Sequence, residues 1–163
     1  MMILAEPTAP RKPKNKVVEY GALAFAGLLV VMVVAQLFKF EEMVPLVESF
    51  NLGGGEARAT LIVSVLVAAE VFALPFLLRM YVSPLMRILS MVLGWIVAAI
   101  WLYLMIGVAM TVHAVSDSGF LGTAVTVPFG WWSVGFALVL AGLAAWISWG
   151  QWPSLDAARR TTK

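Results

Sequence analysis

The chain has 163 residues, of which 62% are hydrophobic and only 12% are charged, and its mean hydropathy is +0.94. A soluble domain is usually about half apolar and about one quarter charged, so this composition indicates an integral membrane protein. The chain contains no cysteine, which excludes disulfides, thiolate catalysis and cysteine-ligated metal centres within it. The net charge is +2, and the basic residues lie near the ends of apolar segments, which suits membrane topology better than nucleic-acid binding.

Four apolar segments are long enough to cross a bilayer, which takes about 20 helical residues. They cover residues 17–38, 60–78, 89–112 and 127–149. We therefore predict an all-α fold, an integral membrane bundle of four antiparallel transmembrane helices. The first segment is longer than the core of a signal peptide, so we expect it to be a retained helix. The bundle would occupy residues 17–152, with a flexible basic leader over residues 1–16 and a basic tail over residues 153–163, both cytoplasmic.

The loop after the first segment has the pattern of a short amphipathic helix. Five apolar residues within 41–50 recur at spacings that place them on one helical face; they are Met43, Val44, Leu46, Val47 and Phe50. Asn51 and the glycines at 53–55 are typical of a helix end. The pattern predicts a short helix that lies at the membrane interface between the first two transmembrane helices.

Small residues recur every four positions in three of the apolar segments, which lets neighbouring helices approach closely. These sets are Ala22 and Ala26; Ser90, Gly94 and Ala98; and Ala137, Ala141 and Ala145. Packing within one chain is sufficient to explain all of them.

The charges divide unequally between the two ends of the predicted helices. The basic residues gather at the end that holds both termini: Arg11, Lys12, Lys14, Lys16, Arg79, Arg87, Arg159, Arg160 and Lys163. Only Lys39 and Arg58 are basic at the opposite end, which carries most of the acidic residues. Cytoplasmic loops are enriched in lysine and arginine, so this asymmetry predicts that both termini are cytoplasmic.

Glu70 is a lone carboxyl group within the uncharged segment 60–78. A charged residue at the centre of a bilayer costs about 2.5–3.5 kcal/mol, so such a group usually faces protein and often marks function. The low dielectric also favours its neutral, protonated form. Two interpretations remain open: a proton-exchanging or ligand-binding group, or a protonated side chain that hydrogen-bonds a neighbouring helix and fixes its register.

Lys39 and His113 are the other polar candidates. Lys39 ends the first helix; we expect its ammonium group to extend to the surface, although it could also fold inward toward Gln36 or, through water, toward Glu70.

His113 is the only histidine. One histidine does not make a metal site, so we expect it to be an interfacial polar residue and predict no metal centre. The sequence lacks nucleotide-binding, metalloprotease and serine-hydrolase motifs.

Two segments resemble the DoxX-like superfamily of small four-helix membrane proteins, which includes the MauE proteins of methylamine utilisation. The first runs from Ala35 through Lys39 to Phe40 and is followed by the amphipathic stretch; the second covers residues 68–78, around Glu70. The similarity extends over roughly residues 27–104. Gln36 and Ala73 replace residues that are commonly glycine in that superfamily. The resemblance implies a four-helix membrane fold and favours Lys39 and Glu70 as a matched binding or proton-exchange pair.

Three functions follow as expectations. The first is an accessory membrane subunit, without a cofactor of its own, that supports a redox or assembly partner. The second is a small transport or proton-conducting module centred on Glu70. The third is a quinone-reactive subunit in which Trp95, Trp101 and Tyr103 line a lipid-facing slot. All three place the chain in a lipid bilayer, with a membrane protein partner or a second copy of the chain and without nucleic acid.

Overall fold

The computed structural model describes residues 7–10, 12–51, 53–111 and 115–152, and over these residues it is helical, without a β-strand. Its five helices are α1 (Lys16–Phe38), α2 (Phe40–Ser49), α3 (Gly55–Leu77), α4 (Pro84–Met110) and α5 (Trp131–Gly150). Four of them, all except α2, are long and apolar enough to cross a membrane. The predicted all-α fold with four spanning helices and one short helix after the first is confirmed.

The helices begin at residues other than those that begin the apolar segments, and for α4 a polar cap accounts for the difference. Helix α4 begins at Pro84, earlier than residue 89, since the Ser83 hydroxyl accepts a hydrogen bond from the Met86 N–H. Proline suits this first position because it has no N–H to satisfy. Helix α3 also begins early, at Gly55, and α5 begins late, at Trp131 instead of residue 127.

The four long helices form a ring in the order α1, α3, α4, α5. Helix α3 packs most extensively against α4 and also against α1, while α5 packs mainly on α4 and more weakly on α1. One end of the bundle holds the start of α1, the end of α3, the start of α4 and the end of α5; we call it the terminal end. The opposite end, which holds α2 and the start of α3, is called the α2 end.

Helix α2 lies against α3 with its apolar face inward. Met43, Val44 and Val47 are buried, as is Phe50 directly after the helix, whereas Glu41, Glu42 and Glu48 are exposed. The amphipathic pattern predicted for residues 41–50 is therefore confirmed.

Two of the three small-residue stripes lie at helix contacts as predicted. Ala22 and Ala26 on α1 are buried, and so are Ser90, Gly94 and Ala98 on α4. On α5 the prediction is confirmed only in part: Ala137 is buried, whereas Ala141, which packs against the core, and Ala145 are half-buried. The buried face also includes Leu140, Ala144 and Ile147. A strict step of four residues drifts about 40° per step around a helix, so the core side alternates steps of three and four.

The seam between α1 and α5 is closed in different ways at its two ends. At the terminal end, Gly21 faces the Trp146 ring and Gly150 faces Val18, so that the helices touch directly. At the α2 end, the loop between α4 and α5 packs against both helices: Gly122 lies on the α1 backbone, and Phe120 contacts a ring of α5. This loop, residues 115–130 as far as the structure describes it, is called the Phe120 loop.

The two arginines at the terminal end bond to α1 and to the leader. Arg79 Nη1 forms an ion pair with Glu19 Oε1 on α1 at 2.7 Å, and Arg87 Nη2 donates to the Thr8 carbonyl of the leader at 2.6 Å. The Lys14 N–H of the leader donates to the Gly150 carbonyl at 3.2 Å. The leader is predicted to be flexible, and its described residues Thr8 and Lys14 bond to the bundle. Arg11, the tail at residues 153–163 and its basic residues Arg159, Arg160 and Lys163 lie outside the described residues.

Substitution of Gly150 tests the direct α1–α5 contact. A Cβ atom at Gly150 would lie 2.5 Å from Val18 Cγ1, and Val18 is buried. A β-branched side chain has little rotamer freedom to move away, so Gly150→Ala should lower stability by about 1–3 kcal/mol. Gly142→Ala is the matched control on the same helix, because nothing lies within 4 Å of its added Cβ. Thermal unfolding in detergent should show a lower Tm for Gly150→Ala alone; equal Tm values would contradict the described seam.

Candidate functional site

Glu70 lies on the inner face of α3 with 0% of its surface exposed. Its Oε1 atom accepts two hydrogen bonds, one from Gln36 Nε2 on α1 and one from Trp101 Nε1 on α4, both at 3.2 Å. Gln36 and Trp101 are themselves fully buried. A single carboxyl oxygen therefore connects three of the four long helices. We call Gln36, Glu70 and Trp101 the Glu70 cluster.

The Phe120 loop covers the Gln36 side of the Glu70 cluster. Gln36 Nε2 also donates to the Phe120 carbonyl at 3.4 Å. The Phe120 ring lies with its centroid 4.5 Å from that of Trp101 and 4.7 Å from that of Phe136. Aromatic pairs at these separations add to the stabilisation that burial alone supplies. The loop therefore encloses the cluster between a backbone carbonyl and aromatic rings in tilted and edge-to-face contact.

The shape of the Phe120 loop is fixed by its own polar contacts. The Asp117 carboxyl accepts hydrogen bonds from the N–H groups of Gly119 and Val127, each at 3.1 Å. Gly122 has a φ of +57° and a Cβ there would meet the backbone of Ala35 and Gln36 at 3.0–3.1 Å. Both the left-handed conformation and the close approach require glycine, so this residue seats the loop on α1.

The polar atoms of the Glu70 cluster are only partly satisfied. Glu70 Oε2 and Gln36 Oε1 are buried, and neither has a hydrogen-bond partner among the described residues. A protonated Glu70 would carry a donor without an acceptor, while the Gln36 amide oxygen lacks a donor. An ionised Glu70 would leave two unpaired acceptors in an apolar interior, which is costly. The arrangement thus favours the neutral acid and leaves one donor and one acceptor available.

Lys39 does not contact Glu70 in the structure. Its ammonium group bonds the two carboxylate oxygens of Glu42 at 3.0 and 3.1 Å, and both side chains are well exposed. The Thr123 hydroxyl donates to Glu42 as well, at 2.9 Å. These bonds, first that from Lys39 and then that from Thr123, hold the pKa of Glu42 below its ordinary value. The group that approaches Glu70 from the end of α1 is Gln36, so the structure does not bring the matched pair of the resemblance together.

The three aromatic residues expected to line a lipid-facing slot do not share one face. Trp101 is fully buried in the Glu70 cluster, whereas Trp95 and Tyr103 are both more than two-fifths exposed. Trp95 Nε1 donates to Ser148 on α5, and the Tyr103 hydroxyl accepts a hydrogen bond from Arg58 on α3. A slot formed by these three residues is therefore not present, and that part of the expectation was wrong.

Sequence reasoning found Glu70 but not its partners. The sequence predicts Gln36 only as a possible contact of Lys39 and as a replacement for glycine, and Trp101 only as a residue of a lipid-facing slot; neither is predicted to bond Glu70. A signal did exist: Gln36 is a polar residue within an apolar segment, as Glu70 is. His113 lies outside the described residues, and the part of the chain that is described contains no group of three or more potential metal ligands.

Comparison of the chain with protein-family models, with curated proteins and with solved structures found no match. The resemblance to the DoxX-like superfamily therefore stays a prediction based on its two segments, and function has to be argued from the geometry of the cluster.

A double-mutant cycle tests the hydrogen bond between Glu70 and Trp101. Glu70→Leu would leave the buried Trp101 N–H without an acceptor, at a cost of about 1–3 kcal/mol. The cost should fall when Trp101→Phe is also present, because the stranded donor is then gone. We expect a coupling free energy of about 1 kcal/mol, measured by unfolding in detergent.

Lys39→Met provides the control for this cycle. Because Lys39 bonds Glu42, Lys39→Met and Glu70→Leu should be additive within about 0.3–0.5 kcal/mol. Coupling of Lys39 to Glu70 as large as that of Trp101 would contradict the described cluster and restore the Lys39–Glu70 pair.

Proposed function

We propose that the protein is a small integral membrane accessory subunit that supports a redox or assembly partner. The observation that carries this proposal is the enclosure of Glu70. The carboxyl group of Glu70 is buried, is bonded to α1 and α4, and is covered by the Phe120 loop. In this arrangement the carboxyl group acts on the protein itself, since it fixes the rotation of three helices and so shapes the surface offered to a partner.

The surface available to a membrane partner is large and apolar. Exposed apolar side chains run along α1, and they include Val30, Val31, Val34 and Leu37. Such residues face lipid when the chain is alone, and a partner helix can replace that lipid through van der Waals packing. A rigid bundle with a fixed outer surface suits this role.

Purification in a mild detergent tests the accessory function. We expect a stoichiometric membrane partner to remain bound to the chain. Glu70→Gln keeps an acceptor oxygen for Trp101 and Gln36, so this variant should retain the partner. Glu70→Leu removes that acceptor, and the fraction of partner bound should fall together with the fraction of folded protein. A native chain that elutes alone, or only as copies of itself, under every mild condition would refute the proposal.

A second candidate function, proton exchange or transport at Glu70, is favoured by one observation. Glu70 Oε2 and Gln36 Oε1 are both buried without partners among the described residues, which leaves hydrogen-bonding capacity for the exchange of a proton. An amide cannot release a proton near neutral pH. Flux into liposomes that contain only this chain, abolished by Glu70→Gln with folding intact, would replace the accessory proposal with this one.

For localisation, we propose that both termini are cytoplasmic, because the terminal end carries most of the basic residues. Cysteines introduced at Glu56 and Thr162 should react with impermeant reagents from opposite sides of the membrane, Thr162 only from the cytoplasm. The reverse pattern would overturn this orientation.

A further inference from the structure

The terminal end contains a basic cleft between the leader, the start of α1 and the end of α3. Its volume is about 390 Å³, and it is lined by Lys12, Pro13, Asn15, Lys16, Glu19 and Arg79. Three of these residues are cations and one is an anion, so the cleft has a net positive charge. The cleft is independent of the Glu70 cluster, with which it shares no residue.

Arg79 is positioned to bind an anion in this cleft while it holds Glu19. Its Nη1 donates to Glu19 Oε1 at 2.7 Å, and its Nε is buried without a hydrogen-bond partner among the described residues. The backbone of Arg79 has a φ of +54° because this residue ends α3 in a Schellman motif, in which the Met80 N–H donates to the Pro75 carbonyl and the Arg79 N–H to the Phe76 carbonyl. The helix end thus places a partly unsatisfied guanidinium in the same cleft as two lysines.

A second, apolar cleft adjoins the basic one. It has a volume of about 260 Å³ and is lined by Pro10, Glu19, Leu23, Leu77, Leu78 and Arg79. The two clefts share Glu19 and Arg79, and Leu23 lies one helical turn beyond Glu19 on the membrane side of α1. A molecule bound here would meet cations at one end and leucine side chains at the other.

The level of the clefts corresponds to the boundary of the membrane. Tyr20, Tyr81 and Trp149 at this end are all about two-thirds exposed or more, as is usual for aromatic residues at the headgroup level. Lys14 Nζ lies 4.5 Å from the centroid of the Trp149 ring, and Lys14 is not among the residues that line the cleft. Lys12 and Lys16 are exposed and open to a ligand.

We propose that this pair of clefts binds one anionic phospholipid. Lys12, Lys16 and Arg79 would hold the phosphate, since guanidinium and ammonium groups are the usual partners of phosphate oxygens. An acyl chain would lie along Leu23, Leu77 and Leu78. A zwitterionic headgroup fits less well, because Glu19, the one carboxylate among the described residues of the cleft, is already bonded to Arg79. Free phosphate would leave the apolar cleft unfilled.

Native mass spectrometry of the full chain, titrated with phosphatidylglycerol or phosphatidylcholine, tests the site. One phosphatidylglycerol should bind with clear preference. A basic residue near an anionic lipid contributes about 1 kcal/mol, or about a fivefold change in affinity. The double variant Lys12→Gln/Lys16→Gln should therefore bind phosphatidylglycerol about 25-fold more weakly. Arg79 is left unchanged because its ion pair with Glu19 supports the fold.

The charge-matched control is Lys14→Gln/Lys39→Gln, which removes two cations outside the cleft and should weaken binding less than threefold. Equal weakening by both double variants would show diffuse surface attraction and overturn the site. Equal binding of phosphatidylcholine would overturn the anionic selectivity. Inorganic phosphate that displaces the lipid at matched concentration would assign the cleft to a soluble anion instead. Unchanged Tm values in both double variants confirm that the comparison concerns binding and not folding.

Discussion

The hydrogen bonds to Glu70 Oε1 are the constraint on which the arrangement of the helices depends. Within a membrane no water is available to replace a lost partner, so a buried N–H of Trp101 or Gln36 needs a fixed acceptor. One oxygen supplies it to both. Rotation of α1 or α4 about its axis would remove a donor from reach, and the cluster thereby selects one packing among the many that apolar helices allow. Polar groups in a membrane interior give this kind of specificity more than they give net stability.

The rest of the bundle follows from the need to close a ring around that cluster. The contact of α1 with α5 is the weakest contact among the four long helices that form the ring. Glycines permit direct contact at the terminal end, and the Phe120 loop completes the seam at the α2 end. The loop reaches the cluster through Gln36, so the residue that anchors α1 to Glu70 also anchors the cover of the site. The contacts of the Phe120 loop therefore both close the α1–α5 seam and enclose the carboxyl group of Glu70.

Sequence alone was sufficient for the elements whose signal is local. The length and hydropathy of the apolar segments predict the four long helices, and the spacing of apolar residues in 41–50 predicts the buried face of α2. Glu70 is predicted as a candidate site because it is the only charged residue in segment 60–78. The partners of Glu70 depend on the relative rotation and height of separate helices, which no local pattern encodes. The resemblance favours Lys39 as the partner of Glu70, yet the exposed Glu42 lies one helical turn away and bonds Lys39 without the desolvation that burial would require. The amide of Gln36 enters the interior at lower cost.

The Glu70 cluster and the basic cleft both contain contacts between α1 and α3, at different levels of the bundle. Glu70 and Gln36 join α3 to α1 in the interior, and Glu19 and Arg79 join them again at the terminal end, where the basic cleft opens. A lipid phosphate in that cleft would neutralise the excess positive charge that the ion pair leaves, and so would favour the close approach of the leader, α1 and α3. Helices α1 and α3 would then be held at both levels, whereas α5 is tied to α1 more weakly. A partner that changes the bundle would consequently act most easily at the α1–α5 seam and the Phe120 loop, where the least packing has to be broken and where Gln36 connects the change to Glu70.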